Sequence, residues 1–208
     1  KVSTIPSDRH GNMDLVSLRK AATAELAGLM ITLPSTVGLF DPAIAEICGI
    51  VHNAGGLVYG DGANMNALLG RVKLGALGFD VVHLNIHKTF STPHGGGGPG
   101  AGPVCVGEAL LPFLPSPVVQ YSTEADKATY YLGQPQQTIG AMASFHGNFG
   151  VLVRAYSYIR ALGAPGLRQI SEDAVLNANY LMAGLREDYD LPYDRPCMHE
   201  VVFSARRQ

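Results

Sequence analysis

Residues 79–100 read FDVVHLNIHKTFSTPHGGGGPG, and this stretch decides the fold. Phe79 to Ile86 is a short, mainly apolar run rich in β-branched residues, the pattern of a strand buried on both faces. It passes directly into His87, Lys88 and Thr89 and then into the tract Gly95-Gly96-Gly97-Gly98-Pro99-Gly100. Glycine runs ordinarily serve as flexible linkers between domains. Here another strand signal, Gly102 to Val106, follows at once, so the tract lies inside one sheet, where close approach of backbone to a ligand explains it better. It is not a P-loop, since no Gly-Lys-Ser/Thr follows, and it lacks the spacing of the dinucleotide fingerprint.

Working outward, the same texture recurs on the N-terminal side. Gly28 to Leu33 is a continuous apolar run closed by Pro34, with Ser35 and Thr36 at its carboxyl end. Asp41-Pro42 is a helix start, a capping carboxylate followed by proline at the first helical position, and Ile44, Ile47, Cys48 and Val51 form one apolar face before Gly55-Gly56 ends it. Leu57 to Asp61 is a second strand, after which Asn64 to Leu69 can begin a helix; upstream, Leu15, Leu18 and Ala22 keep helical spacing. Strands alternating with helices in this way predict an α/β fold, a parallel-rich sheet with helices on both faces. Such sheets bind ligands beyond the carboxyl ends of their strands.

Beyond Leu110 the pattern loosens. Pro112, Pro115 and Pro117 interrupt it, and no period emerges through Gln137, which reads as a connecting region. From Ala141 a helical pattern appears with Leu152, Ala155, Tyr156, Ile159 and Leu162 on one face, ended by Gly163 and Pro165. A second follows with Leu167, Ile170, Ala174, Ala178, Leu181 and Leu185. The expected organisation is a partial ligand-binding large domain over 1–137, then connecting helices and the start of a smaller C-terminal domain over 138–208, that domain beginning after Pro192.

Composition narrows the partners. With 208 residues and 47% apolar content the chain can bury a substantial core. Its 15 basic and 17 acidic residues leave a net charge of −2, without the basic surplus that attracts nucleic acid or an anionic membrane surface. Cys48, Cys105 and Cys197 are far apart and form no CxxC pair, which suggests neither a disulfide framework nor a cysteine-rich zinc site. No apolar run reaches the length of a bilayer span and the chain shows no export signal, so a cytoplasmic location is expected, mitochondrial if the parent is eukaryotic. The chain does not begin with Met and opens mid-pattern, which reads as a fragment.

Two polar groups stand where strands are predicted to end: Asp61, and Lys88 just past Phe79–Ile86. Each has a plainer explanation. A lone lysine is usually a solvated loop residue, Asp61 can cap the segment starting at Asn64, and His87 can be a hydrogen-bonded loop histidine. Together, an amine and a carboxylate converging at one sheet edge match what pyridoxal phosphate requires. The lysine forms a Schiff base with the cofactor, and the carboxylate keeps the ring nitrogen protonated by raising its pKa. Desolvation, and a charged His87 beside it, would favour the free amine of Lys88.

The string Asp80 to Gly100 resembles the cofactor-lysine segment of glycine dehydrogenase (decarboxylating), the P-protein of the glycine cleavage system. Leu33 to Phe40, Asp61 to Ala67 and Tyr158 to Gly163 resemble the same family in the same order, so the similarity covers nearly the whole chain. The resemblance implies the aspartate-aminotransferase type of fold, with Lys88 as the cofactor lysine, Asp61 as the pyridinium partner, Asn64 near the ring, Asn85 and His87 toward the phosphate, and Ser35 and Thr36 at the ring edge. It implies a reaction in which glycine loses its carboxylate as carbon dioxide and its aminomethyl group passes to the lipoyl arm of H-protein. It further implies assembly as a homodimer or as hetero-oligomeric P-protein subunits. Family members are much longer, so the 208-residue piece is expected not to turn over glycine alone.

Two other readings use the same residues. His83, His87 and His94 lie within twelve residues of one another and could serve a metal-dependent hydrolase, because residues four apart on a strand face the same way. Alternatively the chain could be a non-catalytic relative or assembly subunit, a role for which keeping both Lys88 and Asp61 is unnecessary.

Overall fold

The computed structural model describes residues 1–96, 98–123, 129–142, 146–206 and 208; Gly97 of the glycine tract lies outside the described residues. Helix α1 (Leu15–Ala21) is capped by Asp14, whose carboxylate accepts from the Val16 and Ser17 amides. Strand β1 (Gly28–Thr32) follows, then α2 (Ile44–Asn53) and β2 (Leu57–Gly62). Asp41 does not cap α2 directly. Its buried carboxylate accepts from the Ala43 amide at 2.9 Å and from Met13 at 2.8 Å, tying the approach to α2 onto the N-terminal segment. One turn of 3-10 helix (Met65–Ala67) and the short α3 (Leu74–Leu77) lead to β3 (Val81–Leu84).

The main sheet has the order β1-β2-β3-β4, where β4 is Val104–Val106. β1, β2 and β3 are parallel, whereas β4 runs antiparallel to β3. The reason lies in the connection. A parallel return needs a crossover across the sheet, and among the described residues between β3 and β4 the one helix is the four-residue α4 (Ile86–Thr89), followed by the glycine tract. The strand expected over Phe79–Ile86 is accordingly shorter, because Ile86 already opens α4.

One face of the sheet presents Leu29, Ile31, Val58 and Val82 to Leu18 of α1 and to Ile44, Ile47, Cys48 and Val51 of α2. Ile47, Val51 and Val58 are fully buried, each contributing roughly 1.5–3 kcal/mol. The opposite face carries Met30, Thr32, Tyr59, Asp61, Val81 and His83, aligned by the register. It is open at its margins, with Met30 and Val104 75% and 56% exposed.

The connecting region is more ordered than its sequence indicates. Val118–Ser122 (β5) and Thr129–Gly133 (β6) pair as an antiparallel ribbon, with Tyr121 and Tyr130 ring centroids 5.1 Å apart. Its side chains are largely exposed, so no buried face imposes an alternating pattern. The last long element, α5 (Phe149–Leu185), starts later than the Ala141 expectation and joins both predicted helices across a kink at Gly163, with φ 61° and ψ −178°. Its buried stripe is narrower than expected, because Tyr156 and Leu181 face outward while Val151, Ala155 and Ala178 are buried.

The segment after Pro192 returns to the N-terminal half. Arg195 donates to Asn12 Oδ1 at 2.7 Å and to the Phe40 carbonyl at 2.8 Å, and the Met198 amide donates to Gly38 at 2.7 Å.

Candidate active site

Register places Thr32, Asp61 and His83 side by side on three parallel strands. Asp61 Oδ1 accepts the Ala63 amide at 2.8 Å and stands 3.2 Å from His83 Nε2. Among the described residues its other oxygen, Oδ2, receives only the Thr32 hydroxyl, at 3.4 Å. The carboxylate is therefore held by one oxygen and open at the other. His83 is fixed from behind, its Nδ1 2.7 Å from the Tyr59 hydroxyl.

Lys88 is the third residue of α4, one turn beyond the end of β3, and so projects at the same carboxyl edge at which β2 delivers Asp61. Neighbours anchor this turn. Ile86 and Phe90 are buried in an apolar cluster with Val151 and Ala155 of α5, and Thr89 donates to Asn66 Oδ1 at 2.7 Å. Lys88 itself is exposed, and its amine makes no hydrogen bond or ion pair among the described residues. The turn that carries Lys88 is thus firmly seated, while the amine itself is committed to no partner among the described residues.

Asn64 is buried, and its amide nitrogen donates to the Pro34 carbonyl at 3.2 Å, holding the turn that carries Ser35 and Thr36 against the end of β2. Asn85 sits at the N-cap position of α4 and its carbonyl accepts the Lys88 amide at 3.0 Å. His87 packs edge-on to His94, ring centroids 4.6 Å apart. Burial, then the neighbouring His94 and Lys88, hold the His87 pKa below its ordinary value, which keeps the ring neutral and able to donate one hydrogen bond. In the glycine tract Gly95 has φ 77°, and a Cβ there would lie 2.2 Å from the Gly98 backbone. Gly95 and Gly98 are thus packed backbone to backbone rather than held apart as in a slack linker. Between it and the start of α5 lies an open groove of about 690 Å³, lined by Ser91, Thr92, Asn148 and Arg154 among others but not by Asp61 or Lys88.

The metal reading is not supported. Because β3 ends at Leu84 and His87 lies in a helical turn, the same-face rule for residues four apart on a strand does not apply. His83 turns to Asp61 and Tyr59 while His87 turns to His94, and among the described residues no three His, Cys, Asp or Glu side chains form a metal-binding group.

No family model matches the chain. Curated proteins do. A probable glycine dehydrogenase (decarboxylating) subunit 2 from Bacillus cytotoxicus is 53% identical over 205 residues, 99% of this chain and 41% of the relative. Those from Bacillus velezensis and Bacillus cereus are 52% identical over the same coverage. The chain is homologous to glycine dehydrogenase (decarboxylating) subunit 2 along nearly its whole length. It spans about two fifths of the length of these relatives. Among solved structures, a cysteine desulfurase from Thermococcus onnurineus matches 100% of this chain and 51% of its own with a TM-score of 0.73 at 19% identity. A cysteine desulfurase from Escherichia coli matches 90% of this chain and 45% of its own, with a TM-score of 0.65 at 19% identity. These likenesses establish the α/β fold.

One residue near the site escapes sequence reasoning. His199 lies in the segment that returns to the N-terminal half; its side chain is 7% exposed, with Nε2 3.2 Å from Glu200 Oε1. Its Nδ1 is buried and has no hydrogen-bond partner among the described residues. Burial first, and then the charge of Lys88, lower its pKa from the ordinary 6.5, against the raising effect of Glu200. No signal in the sequence ties this histidine to Lys88, because only the return of the chain brings them near. A depressed folded-state pKa means that the unfolded chain binds the extra proton more readily. The associated stability is therefore full above about pH 6.5 and is lost as pH falls through the lower folded value. The midpoint of urea unfolding is expected to fall between pH 7.5 and 5.5, and His199→Asn is expected to flatten that fall. An unchanged slope in the variant would show that other groups, His87 among them, carry the dependence.

Proposed function

We propose that the chain is the cofactor-lysine segment of a pyridoxal-phosphate-dependent enzyme that decarboxylates glycine and passes the aminomethyl group to the lipoyl arm of H-protein. The observation that carries the reading is the placement of Lys88 and Asp61 at the same carboxyl edge of the sheet, with the Asp61 carboxylate anchored at Oδ1 and open at Oδ2. The homology with glycine dehydrogenase subunits supplies the substrate.

The residues fit the cofactor. Lys88 Nζ would hold it covalently, Asp61 Oδ2 would hold the proton on its ring nitrogen, and Asn85 with the neutral His87 would lie toward its phosphate. When bound, pyridoxal phosphate supplies an electron sink for the pair left behind as the glycine carboxylate departs as carbon dioxide. The chain's own contribution is positional and electrostatic. Asp61 presents a fixed negative charge at the edge of the sheet, where no reorganisation is needed. Lys88 Nζ would also be placed to hold or move a proton beside the bound cofactor. At Gly95 the tract packs backbone on backbone, against Gly98 and Pro99.

The large domain is read as 1–137 and the region leading to the smaller domain as 138–208. Tyr130 on β6, Phe149 at the start of α5 and Tyr180 toward its end are 73%, 80% and 78% exposed, and the reading has such side chains covered by further polypeptide, either the remaining length of a relative-sized subunit or a second P-protein subunit. Among the described residues no helix is long and apolar enough to cross a membrane, and the reading places the enzyme in the cytoplasm.

Incubating the purified chain with pyridoxal phosphate, reducing with borohydride and mapping the label by mass spectrometry tests the reading. A label confined to the peptide containing Lys88 is expected. A label on other lysines alone, in protein shown to be folded, overturns Lys88 as the cofactor residue.

A further inference from the structure

The geometry points to His83, backed by Tyr59, as the positioning residue that aims Asp61. The inference rests on the cofactor reading for its consequence but not for its geometry. Tyr59 precedes Asp61 by two residues on β2, so both face the same side of the sheet. His83 is the direct neighbour of Asp61 on β3. The result is a chain of contacts across two strands: Tyr59 Oη to His83 Nδ1 at 2.7 Å, and His83 Nε2 to Asp61 Oδ1 at 3.2 Å.

The donor inventory fixes the direction of each contact. Across the 3.2 Å Nε2–Oδ1 contact, an ion-pair distance, only His83 can carry the proton, because an ionised carboxylate only accepts. In a neutral imidazole Nδ1 is then the acceptor, and Tyr59 donates its hydroxyl proton to it. Tyr59 thereby selects the Nε2–H tautomer, as an outer hydrogen-bond partner does for a ligating histidine. The second contact to Oδ1, from the Ala63 amide at 2.8 Å, fixes the same oxygen. With Oδ1 held by the Ala63 amide and faced by His83 Nε2, the carboxylate is oriented, and Oδ2, which takes the Thr32 hydroxyl at 3.4 Å, keeps a lone pair for a partner beyond the sheet edge. His83 is half-buried, with 23% of its side chain exposed, and its ring stacks obliquely on Tyr59 at a centroid distance of 5.6 Å. It therefore cannot swing away without giving up both contacts.

The test has one arm that needs no cofactor. In the uncomplexed chain, ¹⁵N NMR of the imidazole nitrogens is expected to show His83 as the Nε2–H tautomer, and Tyr59→Phe is expected to convert it to a tautomer mixture. A Nδ1–H tautomer in the wild type, or an unchanged spectrum in Tyr59→Phe, overturns the inference. The second arm measures pyridoxal phosphate affinity and the visible spectrum of the loaded chain. His83→Leu is expected to weaken affinity by about ten- to a hundredfold, the range seen for outer partners of metal-ligating histidines, and to alter the spectrum. His83→Gln, which keeps a donor, is expected to recover most of the affinity. If the wild type takes up cofactor on Lys88 and His83→Leu matches it, the positioning role is refuted while the function stands. If the wild type takes up none, the function fails, and the NMR arm still decides the tautomer. Should His83→Leu not fold, Tyr59→Phe carries both arms.

Discussion

Lys88→Ala is expected to abolish the borohydride-fixed label and the visible absorbance of cofactor on the chain, and to leave the fold intact. The second half of that statement follows from the structure. Lys88 is exposed and makes no hydrogen bond or ion pair among the described residues, while α4 is held by Ile86, Thr89 and Phe90. Truncating an exposed side chain that supports nothing changes stability by only a few tenths of a kcal/mol, about 0.5 at most. In an assembly active toward glycine the loss of turnover is expected to be on the order of 10³-fold or more. A positioned proton-transfer group alone is worth roughly 10²–10⁴-fold, and here the covalent anchor disappears as well. Lys88→Arg sharpens the test, because a guanidinium keeps the charge but never becomes a free amine. It is expected to fail as completely as alanine. A lysine needed only for its charge would tolerate arginine, and residual turnover near wild type in that variant would sink the assignment.

The two candidate residues, Asp61 and Lys88, were legible because each follows directly from a short apolar run, and a parallel sheet brings successive strand ends to one edge. Asp61 and Lys88 needed no contact information. What surrounds them did. Four residues of helix between β3 and the glycine tract are too few for a 3.6-residue period to register, so α4 read as the tail of a strand and His83 and His87 as same-face residues. The antiparallel β4 was illegible for a related reason: direction depends on the connection, and a glycine tract does not announce whether it crosses the sheet or turns back. The β5–β6 ribbon has a mostly exposed surface, so its residues are under no alternating constraint. His199 reaches the vicinity of Lys88 through long-range contacts of Arg195 and Met198, which leave no local pattern. The break at Gly163 and Pro165, by contrast, was visible as chemistry, yet the chain resumes its helix at once.

Asp61→Asn is expected to separate cofactor attachment from cofactor activation. Asparagine has the shape of aspartate, and its carbonyl oxygen can accept the Ala63 amide in place of Oδ1 and face His83 Nε2 as Oδ1 does. The strand end is therefore expected to keep its conformation, and Lys88 its borohydride label. What is lost is the negative charge at the open oxygen, the group that keeps the ring nitrogen protonated by favouring its charged form. Worse, the amide nitrogen now occupies the Oδ2 position and presents a donor to a protonated nitrogen. A preorganised electrostatic group of this kind is worth about 10²–10³-fold in turnover, so the variant is expected to lose that much while still binding cofactor, with an altered visible spectrum. Lys88→Ala removes the label and Asp61→Asn preserves it; measured side by side, they distinguish a site that no longer holds the cofactor from one that holds it in an inactive state. If Asp61→Asn instead retains turnover within a few-fold, the carboxylate is a strand-end cap for the Ala63 amide and nothing more, and the partner of the ring nitrogen must be sought elsewhere on the open face of the sheet.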